Sequence, residues 1–448
     1  MSDTLARLTD VLLTAANRAG ADAADAMAVN GTSVGIDVRG GRLEQADRSE
    51  GIDIGLRVMV GQRQACVSSS DISDSTIRAM AERAVAMARE APEDPTVGLA
   101  DPDQLARTWD LAALELDDPT PEPDAATLQE DARRAEAAAQ GHAGISQVDQ
   151  ASASYTRRAF HLAASNGFQG GYARTSRGVS CVAITGTGTG MERDWAAESR
   201  TWQADVPSPE SVGHLAAERT LARAGARKPP TGAYPVLYDE RVASSLISHL
   251  LSAVNGSSVA RGSSWLRDGL GQLVLPAGMV VTEDPLRPRI GGSRPFDAEG
   301  LASRARDIVA DGVLTGWVLD LATGRKLGMA STANAARGPS SPPSPSTGNI
   351  TLSQGTASRD DLIRDMGTGL LVTSLIGSSI NPTTGDYSRG ASGFWVERGQ
   401  IAYAVNECTL AGNLRDMLLR ITPANDAREH LSTRVPSLLV EGLTLAGE

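Results

Sequence analysis

Five histidines are the first candidates for chemistry, but their spacing does not form a metal-ligand set. They are His142, His161, His214, His249 and His430. A catalytic zinc site needs about three protein ligands, and a metallopeptidase helix usually presents two histidines about one turn apart with a glutamate to activate water. His249 lies in an amphipathic helical pattern, but the next five residues are Leu250, Leu251, Ser252, Ala253 and Val254. We therefore predict no metal site here, and a hydrogen-bonded or partly exposed structural role for His249.

Three cysteines, Cys66, Cys181 and Cys408, are the next candidates. They show no C-x-x-C spacing, which favours a reducing cytoplasm over a disulfide framework. Cys66 and Cys408 fall in strand-like or turn contexts without a histidine nearby in sequence, so we predict buried small side chains. An enzyme that uses one of them as a nucleophile stays open as an alternative, because a histidine partner could be close in space.

The segment from Gly377 to Gly399 concentrates small residues and hydrogen-bonding side chains. This composition suits a backbone-lined groove that holds an extended peptide, with the loop from Asn381 to Gly393 as the groove or interface element. A loop and hairpin packed against the domain's own sheet fits the same residues equally well. The candidate substrate or partner contacts are Asn381, Gly385, Asp386, Tyr387, Ser388, Arg389 and Gly390.

Composition excludes several classes of function for this chain of 448 residues. Lys and Arg number 42 against 54 Asp and Glu, a net charge of −12 without a basic stripe, so nucleic-acid binding is disfavoured. No stretch approaches the roughly 18 consecutive apolar residues of a membrane span, and the first twenty residues mix charges into their apolar positions, unlike a secretion signal. We expect a soluble cytoplasmic protein that does not bind membranes.

Periodicity predicts an α+β fold whose first unit is a small helix–meander–helix domain over residues 1–95. Apolar residues recur at helical spacing from Leu5 to Ala16. Turn signals at Asn30-Gly31, Gly40-Gly41, Glu50-Gly51 and Gly61-Gln62 then divide residues 26–68 into five short strands. Asp74 is placed to cap a second helix that ends near Pro92.

A Pro- and Asp-rich linker over 92–123 precedes a small middle α+β domain over residues 120–226. We predict a helix over Ala125–Gln140, strand alternation from Ile145 to Val206, and a helix with Ser208 as N-cap and Pro209 at its first position. Glycines in this stretch, including the Gly186, Gly188 and Gly190 series, are predicted turns or bulges and not a dinucleotide-binding loop.

The third unit, residues 230–448, is predicted to be a large β-rich domain. It opens with a strand at 234–238 and an amphipathic helix that starts at Asp239 and stops at Gly256. Several strands follow, one of them over Ala310–Trp317. The Ser- and Pro-rich stretch at 338–348 is predicted to be a mobile surface loop that cannot pack a core.

The C-terminal signature runs from Gly385 through Asp386-Tyr387-Ser388-Arg389-Gly390 to Glu397 and is followed by Ala411-Gly412-Asn413-Leu414. It resembles that of the TldD/PmbA family, and the PmbA (TldE) branch in particular. The resemblance extends through residues 296–300, 311–314, 325–328 and 366–370 and covers essentially the whole chain. The family loop near Ala333–Arg337 is usually more compact than the one here.

The resemblance implies a two-subunit cytoplasmic metallopeptidase that acts on unfolded or extended peptides in proteolysis and peptide maturation. A TldD-type subunit carries zinc on a His-Glu-x-x-x-His helix, and the PmbA-type subunit lacks that helix. In this chain His249 stands where the helix motif begins, Leu250 where the glutamate would be, and Val254 where the second histidine would be. We therefore expect no catalytic residue, metal or cofactor in this chain, and zinc in a TldD-type paralogue.

Two functional hypotheses follow. The first is a metal-lacking PmbA/TldE-type subunit that pairs with a TldD-type paralogue, encloses the proteolytic chamber and holds peptide by strand addition. The alternative is a homodimeric peptide-binding or scaffold protein without catalytic activity. Neither hypothesis requires a nucleic acid or a membrane.

Overall fold

The computed structural model describes residues 2–448, and its fold is α+β, as predicted. The first half of the chain builds one antiparallel sheet from six strands, β1 (Ala23–Arg39), β2 (Arg42–Val60), β3 (Arg63–Ser69), β4 (Ile145–Ala164), β5 (Gln169–Thr185) and β6 (Glu192–Arg200). Their order is β3-β2-β1-β4-β5-β6, and β1 pairs with β4 from Asp25↔Ala164 to Val38↔Ala151. This pairing joins the N-terminal and middle units into a single sheet.

Two pairs of helices cover one face of this sheet. The helices of this half are α1 (Ser2–Ala19), α2 (Asp74–Glu90), α3 (Leu111–Leu114), α4 (Ala125–Gln140) and α5 (Pro209–Ala222). The apolar stripes of α1 and α2 bury against alternate residues at the start of β1, and those of α4 and α5 bury against alternate residues near its end. The predicted helix at 125–140 and the Ser208 cap are confirmed, whereas the N-cap of α2 is Ser73 and not Asp74.

The predicted antiparallel meander is confirmed, with turns at Gly40-Gly41 and Gly61-Gln62, but it has three strands, two of them long, and not five short ones. Asn30-Gly31 and Glu50-Gly51 do not form turns but lie opposite each other in a continuous ladder, with Gly31 paired to Gly51. β1 is hydrogen-bonded on both sides, to β2 and to β4, and this long-range pairing overrides the local turn preference of Asn-Gly.

The third unit is larger and contains thirteen strands and five helices within the described residues. Its helices are α6 (Glu240–Ala253), α7 (Gly256–Ala260), α8 (Leu321–Leu327), α9 (Arg359–Met366) and α10 (Leu414–Leu418). Its strands are β7 (Gly232–Tyr238), β8 (Val281–Glu283), β9 (Arg306–Ala310), β10 (Val313–Leu314), β11 (Ala335–Ala336), β12 (Ser344–Pro345), β13 (Ile350–Leu352), β14 (Gly369–Ile380), β15 (Asp386–Glu397), β16 (Gln400–Asn413), β17 (Ile421–Pro423), β18 (Thr433–Arg434) and β19 (Leu438–Ala446).

Five of these strands close into a barrel. The order β16-β15-β14-β7-β19 becomes a ring because β16 also pairs with β19, with Thr409 opposite Ala446. Closure removes the free edges that an open sheet would expose. Helix α6 packs its apolar stripe onto the barrel residues, and together they form the largest hydrophobic cluster of the molecule. A smaller sheet, β10-β9-β8-β13-β18, lies beside it.

Two local predictions for this unit are wrong. Gly256 does not simply end α6: the helix ends at Ala253, and Asn255 caps the short helix α7 that begins at Gly256. Residues 310–317 are not one strand, because Asp311 and Gly312 adopt positive φ values of 50° and 76° and turn β9 back into β10. Backbone conformation at a tight turn interrupts an apolar run that otherwise reads as a strand.

Residues 92–123 pack more closely than a linker. Ala100, Leu105 and Leu116 are buried, and the Ala106 amide donates to the Gly300 carbonyl at 2.8 Å. This segment shares a hydrophobic cluster with Phe296 of the third unit. It therefore helps to fix the sheet against the third unit.

The Ser/Pro-rich stretch lies at the surface, as predicted, but it also packs against the sheet. Its start lies on the second strand of the sheet, where a Cβ atom added to Gly55 would overlap the Pro339 carbonyl. Next to it, the guanidinium of Arg337 forms an ion pair with Asp25 on β1. Only the glycine at position 55 leaves room for this approach, so tertiary contacts hold a segment whose composition favours a loop.

The contact at Gly55 gives a stability test. We expect Gly55→Ala to lower the free energy of unfolding by about 1–3 kcal/mol, because overpacking must displace the Pro339 backbone. Gly51→Ala on the same strand is the matched control, since its added Cβ meets nothing within 4 Å, and we expect a change below about 0.5 kcal/mol. Urea denaturation measures both, and equal losses would contradict packing of the segment on β2.

A buried carboxyl in the third unit gives a pH test. Burial raises the pKa of Glu299 to about 8 from 4.5, with the carboxyl of Asp297 adding to the shift. The folded state thus holds a proton that the unfolded chain releases, so the free energy of unfolding falls as the pH rises between these values. We expect Glu299→Gln to flatten this dependence in urea titrations at pH 5 to 8. The exposed Glu441→Gln should leave it unchanged, and an unaltered slope in Glu299→Gln would refute the assignment.

Candidate functional site

The segment selected as a peptide or partner contact forms a hairpin of the barrel. β14 ends at Ile380, the turn spans residues 381–385, and β15 starts at Asp386. The predicted loop to Gly393 is wrong beyond Gly385, because β15 is paired on both sides, with β14 and with β16. Gly393 is required for this packing, since a Cβ there would overlap the Leu371 carbonyl.

The turn itself is fixed by its own side chains. Asn381 accepts a hydrogen bond from the Thr384 amide at 3.2 Å, and Asp386 accepts from the Thr384 hydroxyl at 2.6 Å and from the Asn413 side chain at 3.1 Å. Gly385 adopts φ 83°, which favours glycine. These polar groups stabilise the turn locally, and this is the role that the hairpin interpretation assigns to them.

The remaining candidates on β15 differ in exposure. Tyr387 is only 2% exposed, and its hydroxyl accepts from the Tyr238 hydroxyl at 3.4 Å, so its side chain belongs to the core. Burial raises the pKa of both phenols. Arg389 is half-buried and donates from Nε to the Gly377 carbonyl at 2.7 Å. Ser388 and Gly390 are also half-buried. The seven candidates lie close together, but they do not all face solvent.

Helix α6 packs next to this hairpin. Its N-cap, Asp239, accepts from the Arg241 amide at 3.2 Å. Leu250 and Val254 are 0% exposed and belong to the main hydrophobic core. His249 is half-buried, with its ring edge-on to Tyr387 at a centroid distance of 6.1 Å.

His249 carries an unused polar atom. Its Nε2 is buried and has no hydrogen-bond partner among residues 2–448. Burial lowers the pKa of the His249 imidazole, and the nearby Arg389 charge lowers it further. The neutral ring is therefore favoured, consistent with the structural role predicted for it.

The residues of α6 do not fit a zinc ion. Two of the three positions of the His-Glu-x-x-x-His motif hold the aliphatic side chains of Leu250 and Val254, which have no donor atom. Both are packed in the core and do not face an open site. Across residues 2–448, no group of three or more His, Cys, Asp or Glu side chains is placed to hold a metal ion.

Nucleophilic candidates are weak in this structure. Burial raises the pKa of the Cys66 thiol, that of Cys181 to about 12 and that of Cys408 to about 11. The Cys408 thiol donates to the Ala391 carbonyl at 3.1 Å. The residues Gly31-Thr-Ser33-Val-Gly35 match the Gly-x-Ser-x-Gly motif of serine hydrolases. In those enzymes the serine lies on a strand-to-helix turn, whereas Ser33 lies within β1.

A cleft of about 480 Å³ opens between the uncovered face of the sheet and the third unit. Small side chains form its floor on β4, β5 and β6, and Trp195 stands beside them with 51% exposure. The N-terminal turn of α6 and residues 428–431 form the opposite wall. Residues that line it include Ser152, Ser154, Gly178, Ser180, Ala197, Ser199, Glu240, Arg241, Ser244 and Arg428.

The charges around this cleft largely compensate one another. Glu198 forms an ion pair with Arg428, and His430 lies 3.4 Å from Glu198, where burial and nearby arginines lower the pKa of the imidazole and favour its neutral form. Arg241 pairs with Asp194 at 3.1 Å on the sheet side. No sequence motif marks these residues, although small residues alternate along β4 and β5. The residues of the sheet contact the N-terminal part of α6 only because the third unit docks on the sheet.

Comparison with known proteins gives the class and then the family. Residues 231–447 match the PmbA/TldA metallopeptidase C-terminal domain, residues 24–88 match domain 1 of that metallopeptidase, and residues 118–224 match its central domain. The chain is 34% identical over 428 residues to Metalloprotease PmbA of Escherichia coli O157:H7, covering 95% of this chain and 93% of that protein. It is 36% identical over 442 residues to the PmbA homolog of Haemophilus influenzae, covering 96% and 94%.

Solved structures agree with this assignment. A Bacteroides thetaiotaomicron protein described as a modulator of DNA gyrase superposes with a TM-score of 0.91 at 25% identity, covering 99% of this chain and 98% of its own. TldE from Thermococcus kodakarensis shares the fold with a TM-score of 0.85 at 18% identity, covering 98% of this chain and 100% of its own. The chain belongs to the PmbA/TldD family of metallopeptidase-like proteins, in its PmbA branch.

Within residues 2–448, no helix has the length and hydropathy needed to cross a bilayer.

The buried thiols give a test of the nucleophile alternative. We expect iodoacetamide at pH 7.5 to leave Cys181 and Cys408 unmodified in the folded chain, because burial limits access and their raised pKa values leave little thiolate. Mass spectrometry of digests counts the modified sites, with urea-unfolded chain as the control in which all three cysteines react. Rapid modification of Cys408 in the folded chain would show an activated thiol and would revive that alternative.

Proposed function

We propose that this chain is the metal-lacking, PmbA/TldE-type subunit of a two-subunit cytoplasmic metallopeptidase that acts on unfolded or extended peptides. The observation that carries the proposal is the replacement of the zinc-helix Glu and second His by Leu250 and Val254, both fully buried in the core. An aliphatic side chain can neither bind zinc nor activate water. The zinc and the cleavage chemistry then belong to a TldD-type paralogue.

The cleft beside α6 supports a role in holding peptide. Its floor of serine, glycine and alanine leaves room for a main chain, and β6 is the outermost strand of the sheet at this point. Main-chain hydrogen bonding to a strand gives affinity without a demand for particular side chains. The internally paired wall charges add no strong preference for one sign of peptide charge.

Two further properties agree with a cytoplasmic role without nucleic acid. All three cysteines are unpaired in the structure, as expected for a protein kept in a reducing compartment. The net charge of −12 opposes binding to a phosphate backbone.

Co-purification with the TldD-type paralogue tests the proposal. We expect one zinc per heterodimer, cleavage of an unstructured peptide only by the mixture, and neither property in this chain alone. Stoichiometric zinc in the isolated chain that a chelator removes would refute it. A metal-free homodimer that binds peptide and ignores the paralogue would instead favour the scaffold alternative.

A variant of the cleft separates peptide holding from assembly. Ser154→Trp should fill the cleft floor and slow cleavage by the mixture at least about tenfold, because the peptide is displaced from its productive position. Ser33→Trp on β1 is the matched control, since Ser33 is exposed and does not line the cleft. Size-exclusion chromatography must show the heterodimer in both cases. Equal rates for the two variants would remove the cleft from the proposal.

A further inference from the structure

A second cavity, of about 440 Å³, lies where the uncovered face of the sheet meets the third unit. Its sheet side is formed by residues of β1, β2, β4 and β5, and its other side by residues 292–298, 335–339 and 347–348. This volume is in the range of ligand pockets, and domain boundaries are a common place for them. The hairpin at 381–390 does not line it.

Arginine donors without partners converge on this cavity. The Arg337 side chain is 0% exposed, and its Nη2 has no hydrogen-bond partner among the described residues. The Nε of Arg294 is buried and equally unpartnered. Arg158 on β4 is exposed at the cavity and makes no side-chain hydrogen bond or ion pair within residues 2–448. Buried donors without partners are costly and usually mark a place for a missing acceptor.

The protein compensates the positive charge of this site only in part: Arg294 lies 3.8 Å from Glu283, and Asp53 also lines the cavity. Arg337 shares its one carboxylate, Asp25, with Arg57, so two buried guanidinium groups depend on a single anion. Asp297 also lines the cavity, but its oxygens accept from the amides of Glu299, Leu301 and Ala335. Burial lowers the pKa of Arg337 to about 10, because desolvation disfavours its charged form.

An apolar wall faces these arginines. The rings of Phe160 and Tyr172 lie 4.5 Å apart, and Tyr172 lies 5.6 Å from Phe296, each in an edge-on arrangement. Met27 and Val29 complete this side. A ligand that suits the cavity therefore combines an anionic group with an apolar body, and the planar guanidinium fork matches a carboxylate.

We propose that this cavity binds the C-terminal residue of an extended peptide, with its carboxylate on the exposed guanidinium of Arg158, in the positive field of the largely buried side chains of Arg294 and Arg337, and its apolar side chain against Phe160 and Phe296. The inference deepens the proposed function, because it rests on peptides being the ligand. It predicts that this chain prefers peptides with a free C-terminal carboxylate and an apolar last residue. A groove that binds only the peptide main chain would not show this preference.

Fluorescence anisotropy on the full isolated chain tests the subsite. The probes are two N-terminally labelled pentapeptides that end in phenylalanine, one as the free acid and one as the amide. We expect the acid to bind about tenfold more tightly, as a lost charge-assisted hydrogen bond costs on this order. Arg158→Gln should reduce acid binding to the level of the amide. Arg158 has no structural partner, so this variant should keep the melting temperature of the wild type.

Arg193→Gln on β6 is the matched control, because Arg193 is an exposed strand arginine of the same sheet outside the cavity. It should bind the acid like the wild type. Equal affinity for acid and amide, no binding of either, or an equal effect of the two variants would each overturn the subsite. Cleavage by the mixture with the paralogue tests the proposed function separately, so a heterodimer that cleaves while acid and amide bind alike would refute the subsite alone.

Discussion

The carboxylate of Asp25 holds two buried guanidinium groups that come from opposite sides of a domain boundary. Arg57 on β2 approaches it at 2.5 Å within the sheet, and Arg337 reaches it from the third unit. Removal of one partner from such a buried group leaves a charge uncompensated, at a cost of about 3–5 kcal/mol. The position of the third unit on the sheet is thereby fixed to one arrangement. The arginine-lined cavity and the small-residue cleft both depend on that arrangement, because each has one wall from either side.

Helix α6 and the residue that follows it are core elements of the third unit. Leu250 on α6 and Val254 directly after it have no exposed surface, and both belong to the largest hydrophobic cluster. Burial of each such side chain contributes on the order of 1.5–3 kcal/mol. These two aliphatic side chains thus strengthen the fold and offer no atom that could bind a metal ion.

The hairpin at 381–390 shows how a recognisable signature can mislead about exposure. Its sequence carries the family signature, and its many glycine and polar residues suggest a groove that binds an extended peptide. In the structure the turn hydrogen-bonds to itself through Asn381 and Asp386, and Tyr387 points into the core. Gly393 is needed because β14 and β15 lie so close together there that an added Cβ atom would overlap the Leu371 carbonyl. Side-chain donors without hydrogen-bond partners among residues 2–448 lie elsewhere, at the cavity that Arg158, Arg294 and Arg337 line.

The sequence by itself determined the α+β class, the family, most helices and the aliphatic residues Leu250 and Val254 at two positions of the zinc motif, because these follow from local periodicity, caps and residue chemistry. Turns at Asn30-Gly31 and Glu50-Gly51 could not be judged locally, since pairing of β1 with both β2 and β4 straightens them. Only the tertiary structure closed the barrel through β16 and β19 and packed the Ser/Pro segment on Gly55. It alone brought Arg158 and Arg337 to one cavity. Contacts between residues about 180 positions apart are set by docking of whole surfaces, and no short window of sequence contains that information.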